Sequence, residues 1–226
     1  EQLAEYVGKE KALVFSTGYQ TNLGTISALI GRGDVVVIDK DDHASIVDGC
    51  RLALGQMKRY RHNDMDDLDR VLSGCPPDAG KMVVVDGLYS MGGDIAPLPE
   101  IIPICKKHGA RLMVDDAHSL GVLGGGHGTA AHFGVTADVD LIMGTFSKSF
   151  ASIGGFIAGS EPAIHWIQHF GRSLIFSASL PAPNVAAVLA ALQIMKAEPE
   201  RIHRVNEIGE RMRREYRRLG FQIGAT

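Results

Sequence analysis

Short runs of apolar, largely β-branched residues recur along this chain at Ala12–Phe15, Val35–Ile38, Met82–Val85, Leu112–Val114, Leu141–Met143, Phe156–Ala158 and Leu174–Phe176. Each run is continuous rather than alternating, so a strand built from it has both faces buried. Segments with helical spacing separate the runs. That order predicts an α/β fold: a mostly parallel seven-stranded sheet with helices on both faces. Start signals support the helices. Asn63 and Asp64 can cap a helix over 65–73, with Asp66 and Asp67 in its first turn, where carboxylates meet the positive end of the helix dipole. A helix over 97–108 stops at Gly109, and Pro181 and Pro183 introduce another over 185–196.

With 226 residues and 45% hydrophobic content, the chain can bury a large core. Its 23 basic and 26 acidic residues give a net charge of −3, so no global field draws it to nucleic acid or to a membrane surface. Cys50, Cys75 and Cys105 lie far apart, forming neither a C-x-x-C pair nor a disulfide framework, which fits a reducing compartment. No window reaches the roughly 18–20 uninterrupted apolar residues of a spanning helix. No basic-then-apolar leader opens the chain. The expected location is the cytoplasm.

The expected division is a large domain over 1–182, followed over 183–226 by linking helices and the start of a smaller C-terminal domain. Glu1–Tyr6 opens inside a helical pattern without an initiator Met, and Gly220–Gly224 reads as the start of a strand. The chain therefore has the look of a fragment truncated at both ends. Before that strand, Ile202, Val205, Ile208, Met212, Tyr216 and Leu219 make one apolar stripe at helical spacing. The other faces mix arginines such as Arg204, Arg211 and Arg214 with Glu207, Glu210 and Glu215, which reads as a solvated surface rather than a nucleic-acid face.

The apolar runs end in chemically capable residues: Ser16-Thr17-Gly18, Asp39, Asp86, Asp115 and Thr145. In an open α/β sheet, ligands bind outside the carboxyl ends of the strands, so these residues should converge on one crevice. Lys148 follows in the polar turn Gly144-Thr145-Phe146-Ser147-Lys148-Ser149-Phe150. An amine flanked by hydroxyls, with Asp115, Asp116 and His118 at the end of a preceding strand, suits pyridoxal phosphate. Lys148 would form the Schiff base, a carboxylate would face the pyridine nitrogen and the hydroxyls would meet the phosphate. Such a lysine must be neutral part of the time, which burial or nearby positive charge promotes.

Alternation along the strand sends Asp115 and Asp116 to opposite sides, and Asp115 is the one assigned to the ring. His118 is placed to bond the phenolic oxygen. Ser16–Asn22, leading into a helix through Leu29, offers backbone N–H groups to a phosphate, though the same residues also serve ordinary N-capping. His43 either stacks on a flat ring or caps the helix beginning near Ala44. Ser90 occupies a comparable loop after the strand that ends at Asp86.

Other chemistries are served less well. Asp115, Asp116, His118, His127 and His132 show no ligand spacing such as H-E-x-x-H, so no metal is expected. The glycine run 124–128 fails the dinucleotide fingerprint because Thr129 stands where its third glycine would be, and no P-loop pattern occurs.

Six segments, Phe15–Asn22, Asp42–Asp48, Asp86–Asp94, Val114–Val122, Gly144–Ser149 and Ile175–Pro181, taken in this order resemble the α-oxoamine synthase family of fold-type I pyridoxal-phosphate enzymes, which share the aminotransferase class I/II fold. Within it, Gly144–Phe156 is most similar to the serine palmitoyltransferases. The glycine acetyltransferases, 8-amino-7-oxononanoate synthases and 5-aminolevulinate synthases usually carry Leu-Gly-Lys or Leu-Ala-Lys there.

The resemblance implies that Lys148 holds the cofactor and, once displaced by the amino-acid substrate, removes its α-proton. It implies that Asp115 pairs with the pyridine nitrogen, that His118 contacts the phenolic oxygen and that His43 stacks over the ring. Gly18 and Tyr19 would offer amides to the phosphate, Thr145 and Ser147 hydroxyls, and Ser90 would lie beside the ring. Homodimers with interface sites are implied, with Ala178 of one subunit near the phosphate of the other; some relatives have Thr there. The implied reaction is decarboxylative condensation of an amino acid with an acyl-CoA, with L-serine and a long-chain acyl-CoA giving 3-ketodihydrosphingosine. Glycine C-acetyltransferase and 8-amino-7-oxononanoate synthase are the alternatives, and a non-catalytic partner subunit is the alternative of another class. The family's arginine for the substrate carboxylate lies in a small domain with no counterpart among these residues.

Overall fold

In the computed structural model, which describes residues 1–224, the apolar runs pair into one sheet. Its strands are β1 (Lys11–Phe15), β2 (Val35–Asp39), β3 (Gln56–Tyr60), β4 (Lys81–Asp86), β5 (Arg111–Asp115), β6 (Leu141–Thr145) and β7 (Gly155–Gly159), ordered β1-β7-β6-β5-β4-β2-β3. Only β7 runs against its neighbours, antiparallel to both β1 and β6. Every residue of β2, β6 and β7 is buried, as the continuous apolar runs predict.

The ten α-helices among the described residues are α1 (Gln2–Tyr6), α2 (Gly18–Leu29), α3 (Ala44–Leu52), α4 (Met65–Ser73), α5 (Leu98–His108), α6 (Thr129–His132), α7 (Glu161–Phe170), α8 (Arg172–Ile175), α9 (Ala182–Ala197) and α10 (Glu200–Arg218). Strand alternation divides the core in two. Val37, Val83, Val85 and Val114 pack with Leu68 and Leu72 of α4 and Ile101 of α5. Val36, Ile38, Val84 and Met113 pack on the other face with Ile26 of α2, Ile46 of α3 and Ile167 of α7. Each of these fully buried aliphatic side chains contributes about 1.5–3 kcal/mol of transfer free energy. Asp64 caps α4 by accepting from the Asp67 N–H, and Gly109, at φ 64°, ends α5 in the left-handed conformation that a residue without Cβ adopts at little cost.

The structure corrects the strand list at two places. Leu174–Phe176 is not a strand: Arg172–Ile175 is a helical turn, and Phe176 beyond it is exposed. A three-residue apolar run cannot distinguish strand from helix, and here Gly171 starts a new turn rather than a sheet pairing. The seventh strand is instead Gln56–Tyr60, whose Lys58 and Arg59 mask it in the sequence. It pairs only with β2, at the sheet's edge, where charged side chains reach water. Residues 221–224 form no strand, and α9 begins at Ala182 rather than 185.

α10 pairs its charges locally, Arg204 with Glu207 and Arg218 with Glu215, as a solvated helix does. Its apolar stripe is buried only at Ile202; Val205, Ile208, Met212 and Tyr216 are exposed. Among the described residues, no helix is long and apolar enough to cross a membrane.

Candidate active site

Of the strand ends, Thr17-Gly18, Asp86, Asp115 and Thr145 converge, while Asp39 turns to His62 and Ser16 to Ala178. A cavity of about 310 Å³ outside the carboxyl ends of β2, β4, β5 and β6 is lined by Thr17, Gly18, Tyr19, His43, Ser45, Asp86, Asp115, Ala117, His118, Met143, Thr145, Ser147, Lys148, Ile153 and Gly154. Parallel pairing sets this, since register places Asp86 of β4 opposite Asp115 of β5.

Lys148 sits in the β6–β7 connection. Buried Phe146 and Phe150 flank it, their rings 5.3 Å apart edge to face, and Phe146 stacks on Phe156 of β7. The turn is closed by Phe146 N–H donating to Gly154 O at 2.9 Å, Ser152 N–H to Phe146 O at 2.9 Å and the Ser149 hydroxyl to Leu120 O at 2.7 Å. Apolar anchors on both sides thus hold an exposed amine at the cavity's rim. The Thr145 and Ser147 hydroxyls lie 2.9 Å apart beside it.

Asp115 and Asp116 do turn to opposite sides. The Asp116 carboxylate accepts from the Ser119 hydroxyl and the Thr129 N–H, away from the cavity. Asp115, 3% exposed, accepts from Asn22 Nδ2 at 2.7 Å and from the Ala117 N–H at 3.0 Å. Asn22 donates its other amide hydrogen to Ser45 Oγ at 2.8 Å, and Ser45 Oγ lies 2.8 Å from His43 Nδ1. Because the Ser45 N–H donates to Nδ1, that nitrogen is an acceptor, and His43 both caps α3 and lines the cavity. Asn22 and Ser45 therefore tie the imidazole to the acid. Sequence reasoning gave neither residue this role; the one available signal was that both lie within the two segments that carry Gly18 and His43.

Burial dominates the electrostatics. It raises the Asp115 carboxyl above its ordinary 3.8, against the hydrogen bonds from Asn22 and Ala117 and the nearby positive charge of Lys148. Burial and the charge of Asp115 push Asp86 up to about 8. The sequence marks Asp86 only as a strand end, yet it lines the cavity and accepts the His43 N–H at 3.0 Å. Burial, then Lys148 and His43, lower the half-buried His118 below the ordinary imidazole value. Ser90 is exposed, and neither it nor Ala178 lines the cavity; the Ala178 carbonyl accepts from the Ser16 hydroxyl instead.

The residues present fit the expected cofactor. Two acceptor positions of the Asp115 carboxylate are taken by Asn22 and Ala117, which leaves lone pairs for a ring N–H, and that cation would offset the burial that disfavours its ionised form. At the other end, α2 starts at Gly18. Thr17 Oγ1 accepts from Gln20 N–H at 3.0 Å, while the N–H groups of Gly18 and Tyr19 are helix-end donors without intrahelical acceptors. Capping and anion binding are thus both built here. A Cβ at Gly18 would lie 2.6 Å from Thr145 Oγ1 and 3.0 Å from Thr145 Cβ. Gly18→Ala should therefore close the cradle while leaving helix propensity improved. The clash should cost about 1–3 kcal/mol of stability, offset in part by the helix propensity, and, with Thr145 pushed out of place in the cradle, cofactor affinity should also fall by about tenfold in an equilibrium titration.

The chain matches the family described as Aminotransferase class I and II over residues 1–225. It is 52% identical over its whole length to a serine palmitoyltransferase of Bacteroides thetaiotaomicron, covering 58% of that protein, and 45% identical to an 8-amino-7-oxononanoate synthase of Symbiobacterium thermophilum, again covering 58%. The chain thus spans somewhat more than half the length of the curated relatives it matches. Among solved structures, Sphingomonas wittichii serine palmitoyltransferase superposes with a TM-score of 0.94 at 43% identity, over 98% of this chain and 56% of that one. A high-resolution structure of SPT with PLP gives 0.94 at 40% identity, over 98% and 56%. Sheet order, cavity and these likenesses agree: the chain belongs to the class I and II aminotransferase family and, within it, to the α-oxoamine synthases.

Proposed function

We propose that this chain is the cofactor-binding large domain, over 1–182, of a pyridoxal-phosphate acyltransferase that condenses L-serine with a long-chain acyl-CoA, releasing CoA and carbon dioxide to give 3-ketodihydrosphingosine. The observation that carries this reading is the single cavity that gathers Lys148, Asp115, His118, His43 and the start of α2. The serine palmitoyltransferase relatives at about half identity support the choice of substrates.

The bound cofactor supplies an electron sink for negative charge at the amino acid's α-carbon. The chain supplies the rest. Lys148 Nζ would anchor the cofactor and then take the α-proton. Asp115 would keep a proton on the ring nitrogen, and Asn22 holds Asp115. His43 would cover the ring and orient the substrate carboxylate, with Ser45 fixing the imidazole. His118 would contact the phenolic oxygen, and the Gly18 and Tyr19 amides with the Thr145 and Ser147 hydroxyls would take the phosphate. Ser90 and Ala178 join the site from the following loop and from a partner subunit. Residues 183–226 link to a C-terminal small domain, and the enzyme works as a cytoplasmic homodimer.

The test is substrate selectivity. Absorbance titration of the cofactor-loaded protein should respond to serine at lower concentration than to glycine or alanine, and turnover should follow with long-chain rather than short acyl-CoA. Glycine with acetyl-CoA as the best pair would shift the assignment to an acetyltransferase. A full-length protein that acquires no cofactor absorbance would sink the proposal.

A further inference from the structure

Outside the cavity, the densest cluster of ionisable groups surrounds His62. This residue follows β3 in a turn whose Asn63 adopts a left-handed φ of 47°. His62 Nδ1 lies 2.9 Å from Asp39 Oδ1 at the end of β2, and Nε2 bonds Asp94 Oδ2 in the loop that follows β4. Asn63 repeats the bridge: its N–H donates to Asp39 Oδ2 at 2.9 Å and its Nδ2 to Asp94 Oδ2 at 3.0 Å. Asp41 stands 3.8 Å from Nδ1, and the Tyr89 ring meets the imidazole edge-on at 4.5 Å. An imidazole bonded through both nitrogens to carboxylates is doubly satisfied only when both nitrogens carry protons.

The loop so held spans 87–96. It is a small two-stranded ear: Leu88 bridges Ile95, Ala96 N–H donates to Gly87 O and Tyr89 N–H to Asp94 O. Its base is the cavity wall, since it follows Asp86 directly and Gly87 N–H donates to Asp115 O at 2.8 Å. At its tip Met91 is 99% exposed. The side-chain ties from Asp94 to His62 and Asn63 join the backbone bonds of Tyr89 with Asp94 and Gly93 in holding the tip half of the ear. Those ties also reach the site: the Asp39 N–H donates to Asp42, and Asp42 accepts the Asp86 N–H.

We infer that His62 is a positioning residue: as an imidazolium it clamps the 87–96 loop to the carboxyl end of β2, and loss of its proton removes one of the two bridges, His62 and Asn63, and loosens that loop beside the cavity. Burial disfavours the charged ring, but hydrogen bonds to Asp39 and Asp94, with their charge, outweigh it, so the His62 pKa rises above 6.5. A raised basic pKa means the clamp is complete below the ordinary value and is lost as pH climbs through the shifted one. Asp86 titrates in a neighbouring range, near 8, and Asp42 is also pushed upward by burial and by Asp86, whereas the Tyr60 and Tyr89 phenols are raised and stay neutral. A test must separate His62 from these two acids.

The clamp rests on these contacts and not on the reaction proposed above. The natural thiols Cys50, Cys75 and Cys105 are all buried, so Met91→Cys in the full-length protein creates one accessible site for a nitroxide label. Its mobility, read by electron paramagnetic resonance from mildly acidic to mildly alkaline pH, should be restricted at the acid end and rise severalfold with pH. In His62→Gln the label should be mobile throughout with no pH transition, and Asp94→Asn, at a partly exposed position, should behave alike without threatening the fold. A transition that persists in His62→Gln belongs to Asp86 or Asp42 and overturns the inference; so does a label equally restricted at every pH in both proteins. Loop release with pH in a protein that takes up no cofactor would support the clamp while removing the proposed function.

Discussion

On the function proposed, Lys148→Ala should remove the covalent hold on the cofactor and lower turnover by about 10²–10⁴-fold, the range lost with a positioned general base. The substitution is well suited to a clean reading. Lys148 is exposed at the cavity's rim, while the turn around it is held by Phe146, Phe150 and backbone hydrogen bonds that alanine leaves in place. Surface changes of this kind usually stay within about 0.5 kcal/mol of stability. Two measurements check it: loss of the lysine-bound absorbance near the visible edge, and kcat with serine and long-chain acyl-CoA at saturating cofactor. Added alkyl amine should restore part of the proton transfer but not the attachment. Retention of full turnover by Lys148→Ala in an otherwise intact complex would move the chain to a non-catalytic partner role.

The sequence made the sheet legible because a buried parallel strand needs a continuous apolar run, and six of the seven strands have one. The edge strand Gln56–Tyr60 escaped for the same reason: pairing on one side only lets Lys58 and Arg59 remain. Site residues were legible where strand ends announce them. Asp115, Thr145 and Lys148 terminate or follow apolar runs, and chain order brings them together. Asn22 and Ser45 were not legible, since their role depends on two segments meeting across the sheet edge, and an amide or hydroxyl in a helix's first turns carries no sign of its partner. His62 was hidden likewise. Its turn shows in the sequence only the capping of α4 by Asn63 and Asp64, and nothing there links it to Asp94 in another loop.

Asp115→Asn separates stability from function, with opposite signs. The carboxyl is buried, and its pKa is raised by that burial, so in the protein without cofactor the folded state keeps its proton at pH values where the unfolded chain has released it. Above 3.8 the unfolded state binds fewer protons than the folded one, so this residue's contribution to stability falls as pH rises. Asparagine is neutral at every pH and escapes that loss. The hydrogen bonds can be kept in part. The oxygen of the introduced amide can accept the Ala117 N–H as Asp115 Oδ1 does now. The new NH₂ needs an acceptor, which Asn22 offers by turning over its own amide, at the expense of the bond that Asn22 Nδ2 now donates to Ser45 Oγ. The cofactor-free variant should melt higher than the parent at pH 8, with the difference narrowing toward pH 4. Loaded with cofactor, it should be slower, because the carboxylate's charge against a protonated ring nitrogen is gone; losing a charge-assisted hydrogen bond of about 1.5–3 kcal/mol corresponds to roughly 10–150-fold in kcat. Scanning calorimetry at two pH values and steady-state kinetics on the same preparation give both signs. A variant that is both less stable at pH 8 and fully active would show that Asp115 braces Asn22 and takes no part in holding the ring.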